Sequence, residues 1–381
     1  MSIIKKIFLL SAIILILSLL LWGVYNLSFK KPKIAPKNSD QSPKNEEITD
    51  LFGAKKDEKI KAISDEMVIG PAYDTADNLI KYYSTTGDAY KIDTDGNNKT
   101  TISDKKFPGL SDVLWSPDKT KAITKSIENG QAQFYYYNYS TQQEIPIKNN
   151  VDEIAWQTSG NRIFYKYYDS QTKKRSFNIS DPDGTNWIKL SDINYRNVSI
   201  APIPKSGLVS FWNQPDSYTQ TIFETVPVIS GEKKTIYKEK YGADYLWSTD
   251  GSLILVSSSD TRAGTKMQLG VMNYNGGEYR NLDIPTFVSK CVWSRDSKTV
   301  YYSLPGDIPS SAILPNEYME GKFKTVDTFW KVNIADGKKS RIIETSEIKA
   351  NFDAAKLFLN DDESALFFVN KYDGKLYKIA L

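Results

Sequence analysis

The 381-residue chain contains no histidine and a single cysteine, Cys291. Without histidine there is no Ser-His-Asp triad, no imidazole base and no His-ligated metal. One cysteine forms neither an intramolecular disulfide nor a cysteine zinc site. As a nucleophile it would lack its usual imidazole partner. A dominant charge is missing too. Lys and Arg number 49 against 46 Asp and Glu, a net +3, which is too small to argue for nucleic acid. No Gly-x-Ser-x-Gly elbow, P-loop or Rossmann glycine pattern occurs. No cofactor and no metal are expected. What the chain does have is rings: 24 Tyr, 16 Phe and 8 Trp, a composition that suits pleated, half-buried sheet surfaces.

One long apolar run stands apart. Ile7 to Val24 follows Lys5 and Lys6, broken only by Ser11, Ser18 and Gly23. As a helix it would span roughly 27 Å, the thickness of a bilayer core, with Trp22 and Tyr25 at the interfacial belt. A cleaved signal peptide has a shorter run ending in small residues, so residues 1–29 are expected to be an uncleaved single-pass signal anchor. The lysines on the two sides do not orient it cleanly. A short tail before a long hydrophilic body favours an extracytoplasmic body on the cell membrane. Residues 30–58 begin with a Lys- and Pro-rich stretch without aromatic residues, and are expected to be a flexible linker. The positive excess lies in this N-terminal part, and the remainder is slightly acidic.

From about residue 59 onward the sequence repeats itself. An apolar strand ending in Trp, a polar turn and a second apolar strand read VLWSPDKTKAI from Val113, IAWQTSGNRIFY from Ile154, YLWSTDGSLILV from Tyr245 and CVWSRDSKTVYY from Cys291. A Trp-less version, LFLNDDESALFF, starts at Leu357, and a degenerate one at Ser199. Between them recurs a hairpin with an Asp-Gly or Asn-Gly turn, as in AYKIDTDGNNKTTIS from Ala89 and FWKVNIADGKKSRII from Phe329. Trp115, Trp156, Trp247 and Trp293 are spaced by 41, 91 and 46 residues. Four short strands every forty-odd residues is the period of a propeller blade. The expected fold is therefore all-β, a seven-bladed β-propeller over residues 59–381, with six or eight blades as alternatives. Blades begin near Glu66, Asp112, Asp152, Arg196, Ala243, Val288 and Phe352. The last blade runs out of chain after three strands. Lys59–Ser64 is expected to supply the fourth, closing the ring and removing an exposed edge.

The pattern W-S-x-D-x-x-x-φ-φ-φ, followed by Y-x-φ-D-x-D-G-x-x-x-x-φ, resembles the WD40-like PD40 repeat of TolB-type propellers, over about residues 59–381. The resemblance implies the fold. It also implies either a scaffold or the substrate-gating domain of a prolyl-oligopeptidase-type peptidase; with no Gly-x-Ser-x-Gly elbow in the sequence, the hydrolase half of such a peptidase is not expected in these residues.

Several motifs have a structural explanation. The repeat tryptophans end the innermost strands and are expected to wedge between blades. Asp118, Asp250 and Asp296 are expected to cap their own turns. The Asp93-Thr-Asp95-Gly96-Asn97 and Asp181-Pro-Asp183-Gly184 segments lack the remaining ligands of a calcium loop and read as hairpin turns. Cys291 shares the face of Trp293 and is expected to be buried.

Binding is expected on the loops between second and third strands, which share one face. The sixth blade carries a 23-residue insertion there, Pro305 to Asp327, whose apolar content suits a packed lid. The candidate binding residues are Tyr168, Asp169, Lys174, Arg175, Trp212, Tyr218, Arg262, Tyr318 and Phe323, of the types enriched at hot spots. The expectation is a non-catalytic binding or scaffolding module, not an enzyme, with a protein or cell-envelope partner and no nucleic acid. The alternative is a carboxylate-based carbohydrate-active or hydrolytic enzyme at the channel mouth. Two carboxylates from different blades with raised pKa at that mouth would mark the enzyme. An apolar or uniformly charged mouth would mark the binder.

Overall fold

The computed structural model describes residues 58–381 apart from 129, 149, 159–161 and 230. The expected anchor and nearly all of the linker lie outside the described residues. No helix among the described residues is long and apolar enough to cross a membrane.

Seven four-stranded antiparallel sheets follow one another along the chain. The first strands of neighbouring blades pack together and line the axis. In blade three these strands are Val151–Trp156, Ile163–Tyr168, Arg175–Ser180 and Ile188–Ile193. Alternation decides their faces. Within Val151–Trp156, Ile154 and Trp156 are buried toward blade two, while Glu153 and Ala155 are only half-buried. The other Trp-bearing first strands follow the same rule.

The tryptophans tie blade to blade. The indole N–H of Trp115 donates to the carbonyl of Gly70 at 2.7 Å, that of Trp156 to Leu114 at 2.8 Å and that of Trp293 to Leu246 at 3.3 Å. Trp247 donates instead to Ser210 Oγ at 2.8 Å. Each ring thus fills the gap beside the preceding blade and satisfies its one donor there. The turn after each such strand is held locally. Ser116, Ser248 and Ser294 donate to Asp118, Asp250 and Asp296 at 2.6–2.7 Å. Asp93 likewise accepts the backbone N–H groups of Asp95 and Asn97 in its own hairpin.

Blade seven is completed from the other end of the chain. Ile60–Ala62 pairs antiparallel with Leu376–Ala380, Ile60 opposite Ile379. Ile60 joins the apolar cluster of Phe352, Leu366 and Phe368, so closure carries core packing as well as hydrogen bonds.

The insertion in blade six is packed. Its flanks extend the hairpin of Thr299–Gly306 and Val326–Asn333, and Asn316–Met319 forms one helical turn. Ala312, Leu314 and Tyr318 are buried with Met267 and Phe287, with Ile308 and Phe323 against them. Beneath it, Lys290 Nζ lies 2.6 Å from Asp327 and 2.7 Å from Asp353, all three buried. The Tyr318 hydroxyl donates to Asp353 at 2.6 Å.

Candidate functional site at the channel mouth

On the face that carries the insertion, the first strands of blades three to five open into a cavity of about 350 Å³. Its carboxylates are Asp152 and Glu153 from blade three and Asp244 from blade five; Lys125 and Lys166 line it as well, and Met319 reaches in from the insertion. An adjoining depression of about 390 Å³ shares Asn197, Gln214, Pro215 and Met319, and adds Arg196 and Glu320.

Consecutive residues of a regular strand point to opposite sides, yet Asp152 and Glu153 both face this cavity. The register shifts between Val151 and Glu153, leaving Asp152 as the extra residue of a bulge, the device by which a strand re-aims a side chain. Lys166, buried in the next strand, lies 2.7 Å from Asp152 and also donates to the carbonyl of Arg196. Asp152 is thereby paired.

Glu153 is not. Among the described residues its carboxyl takes part in no hydrogen bond or ion pair, and burial pushes its pKa up to about 7, against the partial opposition of Lys125. Asp244 is also raised, to about 6, and burial is again the cause. It accepts the indole N–H of Trp212 at 3.0 Å and the backbone N–H of Tyr245 at 3.1 Å, both of which hold the raise back. Across the channel Asp112 pairs with Lys356 at 2.5 Å. The mouth is therefore neither apolar nor uniformly charged. Two carboxyls poised near neutrality are the equipment for moving protons.

None of the nine loop candidates lines this cavity. Trp212 is not on a loop; it is buried in Leu208–Asn213 and orients Asp244 through its indole. Tyr318 is buried within the insertion, its ring 4.5 Å from that of Phe287, and Phe323 is half-buried with its ring 5.8 Å from that of Tyr318. The expectation that Trp212 and Tyr318 are displayed on loops is corrected by their burial, and Phe323 packs against the same apolar cluster. Tyr168 and Arg175 stack, the guanidinium 4.8 Å from the ring. Tyr218 is exposed, and its carbonyl accepts Arg262 Nε at 3.2 Å. Asp169 accepts the N–H groups of Gln171 and Thr172, and with Lys174 it lines a separate cavity on the side of blade three. Cys291 is buried, its thiol donating to the carbonyl of Phe287, and burial pushes its pKa up.

The residues that sequence reasoning passed over share one signal. Asp112, Glu153, Asp244 and Lys290 each stand three positions before a repeat tryptophan. An odd offset in a strand places them on the face opposite the ring, toward the channel.

No protein-family profile matches the chain. Over 88 residues it is 38% identical to "Uncharacterized peptidase YuxL" of Bacillus subtilis strain 168, a match covering 23% of this chain and 13% of that protein. The chain thus spans a small part of the curated relative. A solved structure described as "Oligogalacturonate lyase in complex with manganese" superposes with a TM-score of 0.59 at 11% identity, over 84% of this chain and 93% of that one. The Pyrococcus horikoshii acylaminoacyl peptidase does so with a TM-score of 0.54 at 13% identity, over 80% of this chain and 49% of that one. TolB from Acinetobacter baumannii matches with a TM-score of 0.46 at 12% identity, over 83% and 64% of the two chains. The lyase and the acylaminoacyl peptidase share the fold of this chain. The expectation that the protein is not an enzyme is corrected by the same comparisons, since a lyase and proteins named as peptidases point toward an enzyme.

Proposed function

We propose that the protein is an enzyme whose active site is the channel-mouth cavity. There Glu153 and Asp244 would cleave a carbohydrate or another polar, hydrolysable substrate by acid–base chemistry. The observation that carries this reading is the pair itself: two carboxyls from different blades in one cavity, both raised by burial toward neutral pH. Structural ion pairs rarely leave a half-buried carboxyl without a partner, as Glu153 is left, and such perturbed groups in a cleft mark functional sites.

The roles follow from the two environments. Burial raises Glu153 further than Asp244, so Glu153 serves as general acid and Asp244 as general base. Lys166 is matched by Asp152, whereas Lys125 lines the cavity without an ion pair among the described residues, which suits an acidic sugar and supports the carbohydrate class, as does the fold shared with a protein named for oligogalacturonate. Met319, on the insertion, adds an apolar side chain to the wall of the site. The manganese named with that lyase does not suit the residues here. A hard cation needs several converging oxygens, and no group of three His, Cys, Asp or Glu side chains among the described residues could hold one.

The test is turnover by the full-length protein on oligouronides, neutral oligosaccharides and short peptides. Cleavage of one class is expected, with Glu153→Gln and Asp244→Asn each lowering kcat by about a hundredfold or more. Activity should fall below about pH 6 as Asp244 takes a proton and above about pH 7 as Glu153 loses its own. Failure to cleave any of the three classes, or rates indifferent to both substitutions, would reject the proposal.

A further inference from the structure

We infer that the side of blade three carries a second, non-catalytic site that binds a sugar ring. The argument begins with a row of the sheet. In each blade the residue ending the first strand, or the one equivalent to it, faces a second-strand residue, which in turn faces one on the third strand. That third-strand residue is Ile92, Tyr137, Val226, Met272, Val332 and Ile379 in blades one, two, four, five, six and seven. All six are apolar and buried. In blade three the row runs Trp156, Ile163, Ser180. The next residue facing the same way is Asn178, opposite Tyr165, followed by Ser176, opposite Tyr167.

Three small polar side chains therefore stand where the other blades begin to fill their inter-blade gap. Blade five shows the contrast. Its Gly270 lies in the row occupied by Asn178, and the Tyr279 side chain occupies the space a Cβ at Gly270 would enter. In blade three nothing enters. The result is a cavity of about 380 Å³ lined by Tyr165, Tyr167 and Trp187 together with Ser176, Asn178 and Ser180. It shares no lining residue with the channel mouth.

Asn178 points to the occupant. It is 2% exposed. Its Nδ2 donates to the Ser176 carbonyl at 3.2 Å and to Ser176 Oγ at 3.0 Å, while its buried Oδ1 accepts nothing. An unmet buried acceptor is costly, and the residue that carries it forms part of the cavity wall, so a ligand that satisfies it must bring an O–H or N–H donor. The walls ask for the opposite quality, a flat apolar face against tyrosine and tryptophan rings. Trp187 is 61% exposed at the rim, and Lys148 Nζ stands 5.3 Å from the Tyr167 ring centroid. A pyranose offers both an apolar face and hydroxyl donors, whereas a bare aromatic ring offers no donor. Binding at this site does not depend on the channel-mouth reading, because it involves no turnover.

The experiment is titration calorimetry and tryptophan fluorescence on the full-length protein. The probes are methyl glucoside, methyl galactoside, methyl N-acetylglucosaminide, galacturonate and their disaccharides. Saturable binding of at least one probe is expected, with a change in Trp187 emission. Asn178→Leu should weaken it by about tenfold or more through loss of the acceptor. Ser180→Leu should abolish it while holding or raising the melting temperature, since it restores the apolar residue of the other six blades. Glu153→Gln should leave the Trp187 emission change and its midpoint unchanged, which separates this site from the channel mouth. Binding of none of the probes, binding indifferent to Ser180→Leu and Asn178→Leu, or binding of phenol or indole in preference to every sugar would overturn the inference.

Discussion

Glu153 illustrates how one residue can cost a fold stability and still belong there. Burial penalises its charged form, so the folded state holds its proton up to about pH 7, whereas an ordinary glutamate releases it near 4.5. Below the lower value both states are protonated and the residue costs nothing. As pH rises to about 7 the unfolded chain ionises first and binds fewer protons, so stability falls across that window and stays reduced above it. Glu153→Gln should therefore raise the melting temperature at pH 8 while changing it little at pH 4. The gain expected is on the order of 3 kcal/mol. Scanning calorimetry at the two pH values checks this, and an equal shift at both would contradict it. A substitution that stabilises the fold while removing activity is the usual signature of a functional group. Lys290, three residues before Trp293, makes the contrasting case. Its charge is matched by Asp327 and Asp353, so its role there is structural.

Among the elements, the insertion of blade six departs most from the repeat. The hydrophobic cluster around Tyr318 and the Lys290 network fix its base. The side chain of Asn316 ties its tip to blade four, and the Leu314 N–H donates to the Gly264 carbonyl of blade five at 2.9 Å. Asn316 Oδ1 accepts the N–H of Ser217 at 2.8 Å, and its Nδ2 donates to Asp216 at 2.9 Å. Met319 and Glu320, which border the two depressions, follow directly in the chain. Asn316→Ala removes both bonds, worth about 1–2 kcal/mol of local order. Limited proteolysis should then cut within residues 307–325 faster than in the wild type, with global melting little changed. Identical cleavage kinetics would mean that the Asn316 side chain does not hold the tip.

At the scale of the whole molecule, the ring depends on a three-residue strand more than 300 positions from its partner. Ile60 is buried among residues of blades six and seven, and Ile60–Ala62 covers the otherwise open edge of Leu376–Ala380. Ile60→Asp should cost about 3 kcal/mol or more, because it buries a charge in place of an apolar side chain. It should also promote self-association through the freed edge. Chemical denaturation and size-exclusion chromatography test both effects, and a monomer of unchanged stability would show that closure rests on other contacts.

The sequence by itself determined the blade. Tryptophans at a near-constant interval, Asp-Gly and Asn-Gly turns and alternating apolar strands are local features, and local sterics and hydrogen bonding suffice to interpret them. Those signals gave the blade count, the closing strand, the wedge role of Trp115 and Trp156 and the packed state of the insertion. Only the tertiary structure decided which side chains meet. Glu153 and Asp244 lie some ninety residues apart in different blades, and a pKa raised by burial exists only once neighbouring strands exclude water. The bulge at Asp152, the burial of Trp212 and the unfilled gap behind Asn178 likewise depend on how blades sit against one another. Chemistry in a ring is assembled across copies, and a repeat seen along the chain does not say which of its variations face the axis.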